Sequence, residues 1–158
     1  SMIAAMRGMD YLHSRGDIDT SRIAVFGGSQ GGGLSLLTAA VDKRAKAVIA
    51  TVPGSCDNTA WLYGRCGGQG LLASGNRERV IRALSYYDAA LAAQLITVPT
   101  IIGVGFIDNT CHPTKGYAAY NNLSGPKKID NFLNTGHESA PGWRERSIEW
   151  LKGCFGMK

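Results

Sequence analysis

A serine flanked by glycines stands between an apolar segment and a helix-like segment, and this placement constrains the fold more than any other feature. Residues 22–27 (RIAVFG) are almost wholly apolar, as expected of a strand that is buried on both faces of a parallel sheet. Residues 30–41 (QGGGLSLLTAAV) predict a helix. Between them lies Gly27-Gly28-Ser29-Gln30-Gly31, a G-x-S-x-G pattern that is typical of a sharp turn from strand to helix. The pattern therefore predicts that Ser29 is raised above the edge of a parallel sheet.

The rest of the chain continues the alternation of strands and helices. Further buried strands are predicted over 46–52 and 99–105, and a fourth strand over 127–133. Helices are predicted over 2–15, 77–95, 114–122 and 143–151. Residues 54–76 interrupt this pattern with glycines, serines and isolated aromatics, and long irregular segments of this kind are often lids. Alternating strands and helices imply right-handed crossovers and a sheet covered on both faces. We predict an α/β fold in which residues 1–158 form one domain, with a lid-like insertion at about 54–76.

Ser29 has the surroundings that a nucleophile needs. The residues two before and two after such a serine must be small, and Gly27 and Gly31 meet this requirement. The helix that begins at Gln30 directs its N-terminal amides toward the oxyanion that forms when Ser29 attacks a carbonyl. We therefore predict Ser29 as nucleophile and the Gln30 backbone amide as one oxyanion donor. A phosphate-binding loop is disfavoured, because the G-x-G-x-x-G pattern and a P-loop lysine are absent.

Two further side chains complete a candidate triad in the chain order serine, acid, histidine. Asp108 follows the strand predicted over 99–105, and His137 follows the strand predicted over 127–133. Both loops are therefore expected at the carboxyl end of the sheet, with His137 as general base and Asp108 as the acid that orients it. The other candidates lie in a predicted helix or strand or share a loop with Asp108, and they are His13, His112, Asp88 and Asp130.

Composition limits the partners that we expect. The net charge is +5, but the 17 Lys and Arg residues are scattered, so nucleic acid is not an expected partner. No run of about 18 apolar residues occurs, and a membrane is therefore not expected either. No signal peptide is recognisable in this chain, and the compartment stays undetermined.

The four cysteines have no CxxC pair and no regular spacing, which disfavours a zinc site or a disulfide framework. Free thiols are the prediction, with a bridge between Cys56 and Cys66 in one loop as the alternative. We predict no metal and no organic cofactor, because a serine triad needs neither.

Together, these residues resemble the acetyl xylan esterase and cephalosporin C deacetylase family of carbohydrate esterases, which have the α/β-hydrolase fold. The resemblance covers nearly the whole chain. It rests on GGSQGGG at 27–33, LSYYD at 84–88, the stretch from Gly105 through Asp108 and Cys111 to Pro113, AAYN at 118–121 with GPK at 125–127, and GHE at 136–138.

The resemblance implies a function for these residues. Ser29, Asp108 and His137 are expected to hydrolyse short acyl esters, chiefly acetyl groups on carbohydrates, through an acyl-enzyme. The substrate would be a small acetylated carbohydrate, and Trp61 and Tyr63 of the insertion are expected to narrow its acyl pocket. Cysteine is frequent in the family at positions 56 and 111, which favours free thiols there.

The family places several strands, an Arg-Gly-Gln motif and the second oxyanion donor before the first helix of this chain. Residues 1–158 therefore correspond to the C-terminal half of the parallel sheet. An N-terminal segment of the same protein is an expected partner. Because an open strand edge is prone to pairing, we also expect a homo-oligomer.

Two other functions remain as alternatives. A prolyl-oligopeptidase-like serine peptidase shares the G-x-S-x-G-G pattern and the same triad order. A catalytically idle hydrolase fragment could instead act as an interaction or assembly module.

Overall fold

A computed structural model describes residues 2–65 and 76–157. Its sheet has four parallel strands in the order β1-β2-β3-β4. These are β1 (Ala24–Gly28), β2 (Ala47–Thr51), β3 (Thr100–Gly105) and β4 (Lys127–Phe132). All four strands were predicted from the sequence, the first three as buried apolar runs.

Six α-helices accompany the strands in the described ranges: α1 (Met2–Ser14), α2 (Gln30–Val41), α3 (Arg77–Tyr86), α4 (Ala89–Ala92), α5 (Pro113–Asn122) and α6 (Trp143–Cys154). The helix predicted over 77–95 is divided in two. It breaks because the Asp88 carboxylate accepts the backbone N–H groups of Ala90 and Leu91, which begins α4 as a separate helix. The strand and helix order is otherwise as predicted, and none of the described helices is both long and apolar enough to span a bilayer.

Alternate side chains of the strands face two separate hydrophobic clusters. Val48 and Ile102 pack in a larger cluster with residues of α1, α2, α4 and α5. Ile49 and Ile101 face the other side of the sheet, where the Trp143 ring of α6 is 1% exposed. The sheet thus has helices on both faces, and the predicted α/β architecture is confirmed.

Strand β1 is an edge of the sheet among the strands that the structure describes, with β2 as its neighbour. Phe26 in β1 is 60% exposed, whereas the side chains of β2 are buried throughout. Two cavities flank Phe26, of about 210 and 250 Å³, on the α2 and α6 sides of the sheet. An apolar strand with one open edge is a surface that other strands can pair with.

The first part of the insertion is anchored to the domain. The Asp88 carboxylate accepts the backbone N–H groups of Asp57 and Asn58 at 2.9 and 2.6 Å. A short 3-10 helix follows at Ala60–Tyr63. Cys66, the other half of the alternative bridge, lies outside the described residues, and the lid-like role of 54–76 stays a prediction.

Candidate active site

The turn between β1 and α2 holds Ser29 in an unusual backbone conformation. Its φ is +53° and its ψ is −122°, a conformation that costs a non-glycine residue about 1–3 kcal/mol and persists only where the surroundings hold it. Two backbone contacts do so. The Ser29 N–H donates to the Thr51 carbonyl at 2.9 Å, and the Ser29 carbonyl accepts from Gly54 N–H at 2.8 Å. The end of β2 therefore fixes the position from which the hydroxyl projects.

Glycine is required in this turn by close approach of the backbone. A Cβ on Gly27 would lie 2.3 Å from the Gly31 carbonyl oxygen, and one on Gly33 would lie 2.2 Å from that of Gly54. Gly27 therefore has the steric role predicted for it. The same prediction for Gly31 is wrong within the described residues, because a Cβ there would meet open space. The close contact is between position 27 and the Gly31 backbone carbonyl. A side chain is therefore excluded at Gly27 and not at Gly31.

The three predicted triad residues lie together in a continuous hydrogen-bonded chain. His137 Nε2 lies 2.8 Å from Ser29 Oγ, and His137 Nδ1 lies 2.9 Å from Asp108 Oδ2. The imidazole is partly exposed, whereas the Asp108 residue is 1% exposed. This arrangement can move a proton from the serine hydroxyl to the imidazole while the buried carboxylate holds the ring.

Loop contacts fix the carboxylate and the imidazole relative to each other. Asp108 Oδ1 accepts the backbone N–H groups of Thr110 and Cys111, each at 2.8 Å, so only Oδ2 faces His137. The two loops are joined by the Ile107 N–H, which donates to the Thr135 carbonyl at 3.2 Å. A Cβ on Gly105 would lie 2.5 Å from that same carbonyl oxygen. Glycine at the end of β3 therefore allows the histidine loop to approach.

Gln30 is the first residue of α2, as predicted, and is exposed beside Ser29. The first amides of a helix have no partner within the helix, so they are free to donate to an oxyanion. Gly54 packs against this point, with its ideal Cβ position 3.4 Å from the Gln30 nitrogen. The geometry fits the predicted oxyanion donor, which stays a prediction.

Trp61 and Tyr63 are not brought into the triad. Their recorded ring contacts are with arginines: the Arg77 guanidinium lies 5.2 Å from the Trp61 ring, and that of Arg65 lies 5.3 Å from the Tyr63 ring. Tyr63 is 72% exposed. Their proposed part in an acyl pocket stays a prediction.

The competing histidines and acids have other partners or positions. His112 caps α5 and its Nδ1 lies 3.0 Å from Thr114 Oγ1, while His13 lies in α1. The Asp88 carboxylate accepts hydrogen bonds from backbone N–H groups. Asp130 in β4 forms ion pairs with Lys128 and Arg146. His112, Asp88 and Asp130 therefore have partners other than the triad residues, and the buried Nε2 of His13 has no hydrogen-bond partner in the described ranges.

Cys56, Cys111 and Cys154 are free thiols. Burial raises the pKa of the Cys56 thiol far above its usual range, and burial also raises the pKa of Cys111, which lies beside Ser29. Both thiols are therefore protonated at neutral pH, which argues against either as a competing nucleophile. Within 2–65 and 76–157, no group of three or more His, Cys, Asp or Glu side chains is arranged to hold a metal ion.

Comparison with known proteins gives one family. The model of the acetyl xylan esterase family matches residues 2–63 and 72–154. The acetyl esterase Axe7A of Xylanibacter ruminicola is 38% identical over 153 residues, which cover 95% of this chain and 35% of that protein.

Two solved structures share both the fold and this family. The acetyl xylan esterase from Paenibacillus sp. R4 superposes with a TM-score of 0.87 at 33% identity, covering 96% of this chain and 51% of the other. Acetyl xylan esterase 1 from Thermoanaerobacterium sp. JW/SL YS485 gives 0.85 at 27% identity, covering 98% and 52%. The chain thus spans about half the length of these structures and about a third of the curated relative.

Proposed function

This chain belongs to the acetyl xylan esterase family, and from that premise we propose that it supplies the triad of a serine esterase that removes acetyl groups from carbohydrate hydroxyls. The observation that carries the proposal is the unbroken chain of hydrogen bonds from Ser29 through His137 to Asp108. The relatives named above are acetyl esterases, which is the reason for choosing an acetyl ester as substrate.

The proposed reaction has two halves. In the first, His137 Nε2 takes the Ser29 proton as Ser29 Oγ attacks the ester carbonyl, and the protonated ring then gives that proton to the departing sugar oxygen. In the second, His137 takes a proton from water, which attacks the carbonyl of the acetyl-serine, and the ring returns that proton to Ser29 Oγ as acetate leaves. Asp108 stabilises the imidazolium in both halves through its short contact to Nδ1.

An oxyanion hole usually has two donors, and the described residues suggest the Gln30 amide as one of them. We propose that the Gln30 amide is one donor and that the second comes from residues outside this chain. Loss of one donor typically costs about 10²–10³ in rate, so residues 1–158 alone should have little activity. The open edge of β1 and the exposed Phe26 support a partner at this side, either an N-terminal segment of the same protein or a second copy.

Labelling with a fluorophosphonate tests the proposal against an idle interaction module. The reagent reacts with a serine only when a base activates it, so the full-length protein should be labelled at Ser29 and the Ser29→Ala variant should not. Absence of labelling in the full-length protein would remove the esterase assignment and favour the module. The peptidase alternative is tested by a panel of acetyl esters and proline-containing peptides, and faster cleavage of peptides would favour it.

The length of the acyl chain that the enzyme accepts provides a further test of the acetyl ester assignment. We predict that the full-length protein prefers acetyl over butyryl esters by about tenfold or more in kcat/KM, since a misfitting methylene in a pocket is worth about 1–3 kcal/mol. The measurement is initial rates on para-nitrophenyl acetate, butyrate and octanoate. Faster hydrolysis of the longer esters would contradict an acetyl-sized pocket.

A further inference from the structure

The indole N–H of Trp143, the first residue of α6, forms a buried hydrogen bond at the end of β2. The Trp143 residue is 1% exposed, and its Nε1 donates to Thr51 Oγ1 at 2.6 Å. Thr51 is the last residue of β2 and is buried as well. A buried N–H group that loses its acceptor costs free energy, so this bond fixes the ring and the threonine relative to each other.

Thr51 is also the residue that holds the nucleophile. Its carbonyl accepts the Ser29 N–H at 2.9 Å. Helix α2 begins tightly against the same oxygen, because a Cβ on Gly32 would lie 3.1 Å from it. A single residue of β2 therefore binds the indole through its side chain and Ser29 through its backbone, and a displacement of Thr51 would move Ser29 with it.

The chain directly after Thr51 is strained and depends on contacts that hold it. Val52 has a φ of +38°, a rare conformation for a β-branched residue, which persists only where the surroundings impose it. The Val52 N–H donates to the Gly103 carbonyl at 2.8 Å, and the indole binds the residue before it. The Trp143 bond is therefore one of the contacts that keep the strained segment, and with it the nucleophile turn, in place.

The same ring contacts the strands that lead to the other two triad residues. A Cβ on Gly103 would lie 3.0 Å from the indole, so β3, which leads to the loop of Asp108, packs directly on the ring. Phe132 ends β4, which leads to the loop of His137, and its ring meets the indole edge to face with centroids 5.7 Å apart. One buried side chain thus touches the strands that position all three triad residues.

We propose that Trp143 is a positioning residue, whose indole N–H fixes Thr51 and thereby sets the position of Ser29 relative to its base. The inference rests on the proposed esterase function and adds a determinant of its rate. A misplacement of about 1 Å in an active site can lower a rate by about 100-fold. Because the indole contacts strand residues, its loss should lower kcat and leave KM nearly unchanged.

The first test replaces Thr51 in the full-length protein. Thr51→Val is nearly isosteric but leaves the indole N–H unpaired, so kcat on para-nitrophenyl acetate should fall by about tenfold or more while KM changes by less than about twofold. The rate of fluorophosphonate labelling at Ser29 should fall in parallel. Thr51→Ser keeps the acceptor oxygen and should retain kcat within about threefold. An unchanged kcat in Thr51→Val, or an equal loss in Thr51→Ser, overturns the inference.

Thr100→Val is the matched control. Thr100 is also a buried strand threonine, but it begins β3, at the end of the sheet away from the triad, and its hydroxyl donates to the Val98 carbonyl at 3.1 Å. Its replacement should lower the thermal midpoint yet leave kcat within about twofold, with all rates measured well below the midpoints. A loss of kcat equal to that of Thr51→Val would indicate a general effect of packing and contradict a positioning role.

A double-mutant cycle assigns the effect to the contact between the two side chains. Trp143→Phe removes the donor and keeps an aromatic ring, and it should lower kcat. If both residues act through one hydrogen bond, adding Thr51→Val should lower kcat further by no more than about twofold. Losses that multiply overturn the inference, and if Trp143→Phe does not fold, the comparison of Thr51→Val with Thr51→Ser decides. Failure of the esterase proposal is distinguishable, because wild type would then neither hydrolyse para-nitrophenyl acetate nor be labelled at Ser29.

Discussion

Ser29→Ala is expected to lower kcat for acetyl ester hydrolysis by roughly 10⁴-fold or more in the full-length protein. The hydroxyl is the attacking group, and without it only binding and the oxyanion donors contribute to catalysis. The structure gives Ser29 Oγ a contact with His137 and no helix-capping bond, so folding should not depend on it. The measurements are kcat on para-nitrophenyl acetate and the thermal midpoint, and the latter should not move.

Ser124→Ala is the matched control for this substitution. Its hydroxyl donates to the Gln94 carbonyl at an exposed position and forms no bond with the triad residues. Its removal should leave kcat within about twofold, since exposed surface substitutions rarely change a structure. Turnover by Ser29→Ala equal to that of wild type would exclude Ser29 as the nucleophile.

The strands and the proximity of Ser29, Asp108 and His137 could be predicted because each depends on local sequence. A buried strand of a parallel sheet is a short apolar run, and β2 and β3 show this most clearly in the stretches AVIAT and TIIGVG. The triad residues follow strand ends, and parallel strands all end at the same edge. The proximity of Ser29, Asp108 and His137 therefore follows from chain order once the sheet is predicted.

Other features depend on contacts between distant segments, and the sequence pattern did not reveal them. Asp88 caps α4 locally, but its carboxylate also binds the amides of Asn58 and Asp57, 30 and 31 residues away, and that long-range contact anchors the insertion. The open space at Gly31 reflects how α2 leaves the sheet.

Asp108→Asn should lower kcat by about 10⁴-fold with little change in KM, because it reverses the hydrogen bond that orients His137. The structure explains why the asparagine NH₂ group, and not its oxygen, would face His137. Asp108 Oδ1 accepts two backbone N–H groups, from Thr110 and Cys111, so the single oxygen of an asparagine must occupy that position. The amide NH₂ then faces His137 Nδ1 and donates to it.

This substitution leaves the geometry in place while it selects the wrong tautomer. With Nδ1 as acceptor, the imidazole proton moves to Nε2, which can no longer take the proton of Ser29.

Asp130→Asn is the matched control, since it removes a buried carboxylate that pairs with Lys128 and Arg146, and turnover should persist. Asp88→Asn should lower the thermal midpoint rather than kcat, because Asp88 caps α4 and anchors the insertion. A larger loss of kcat in Asp88→Asn than in Asp108→Asn would show that Asp108 is not the orienting acid.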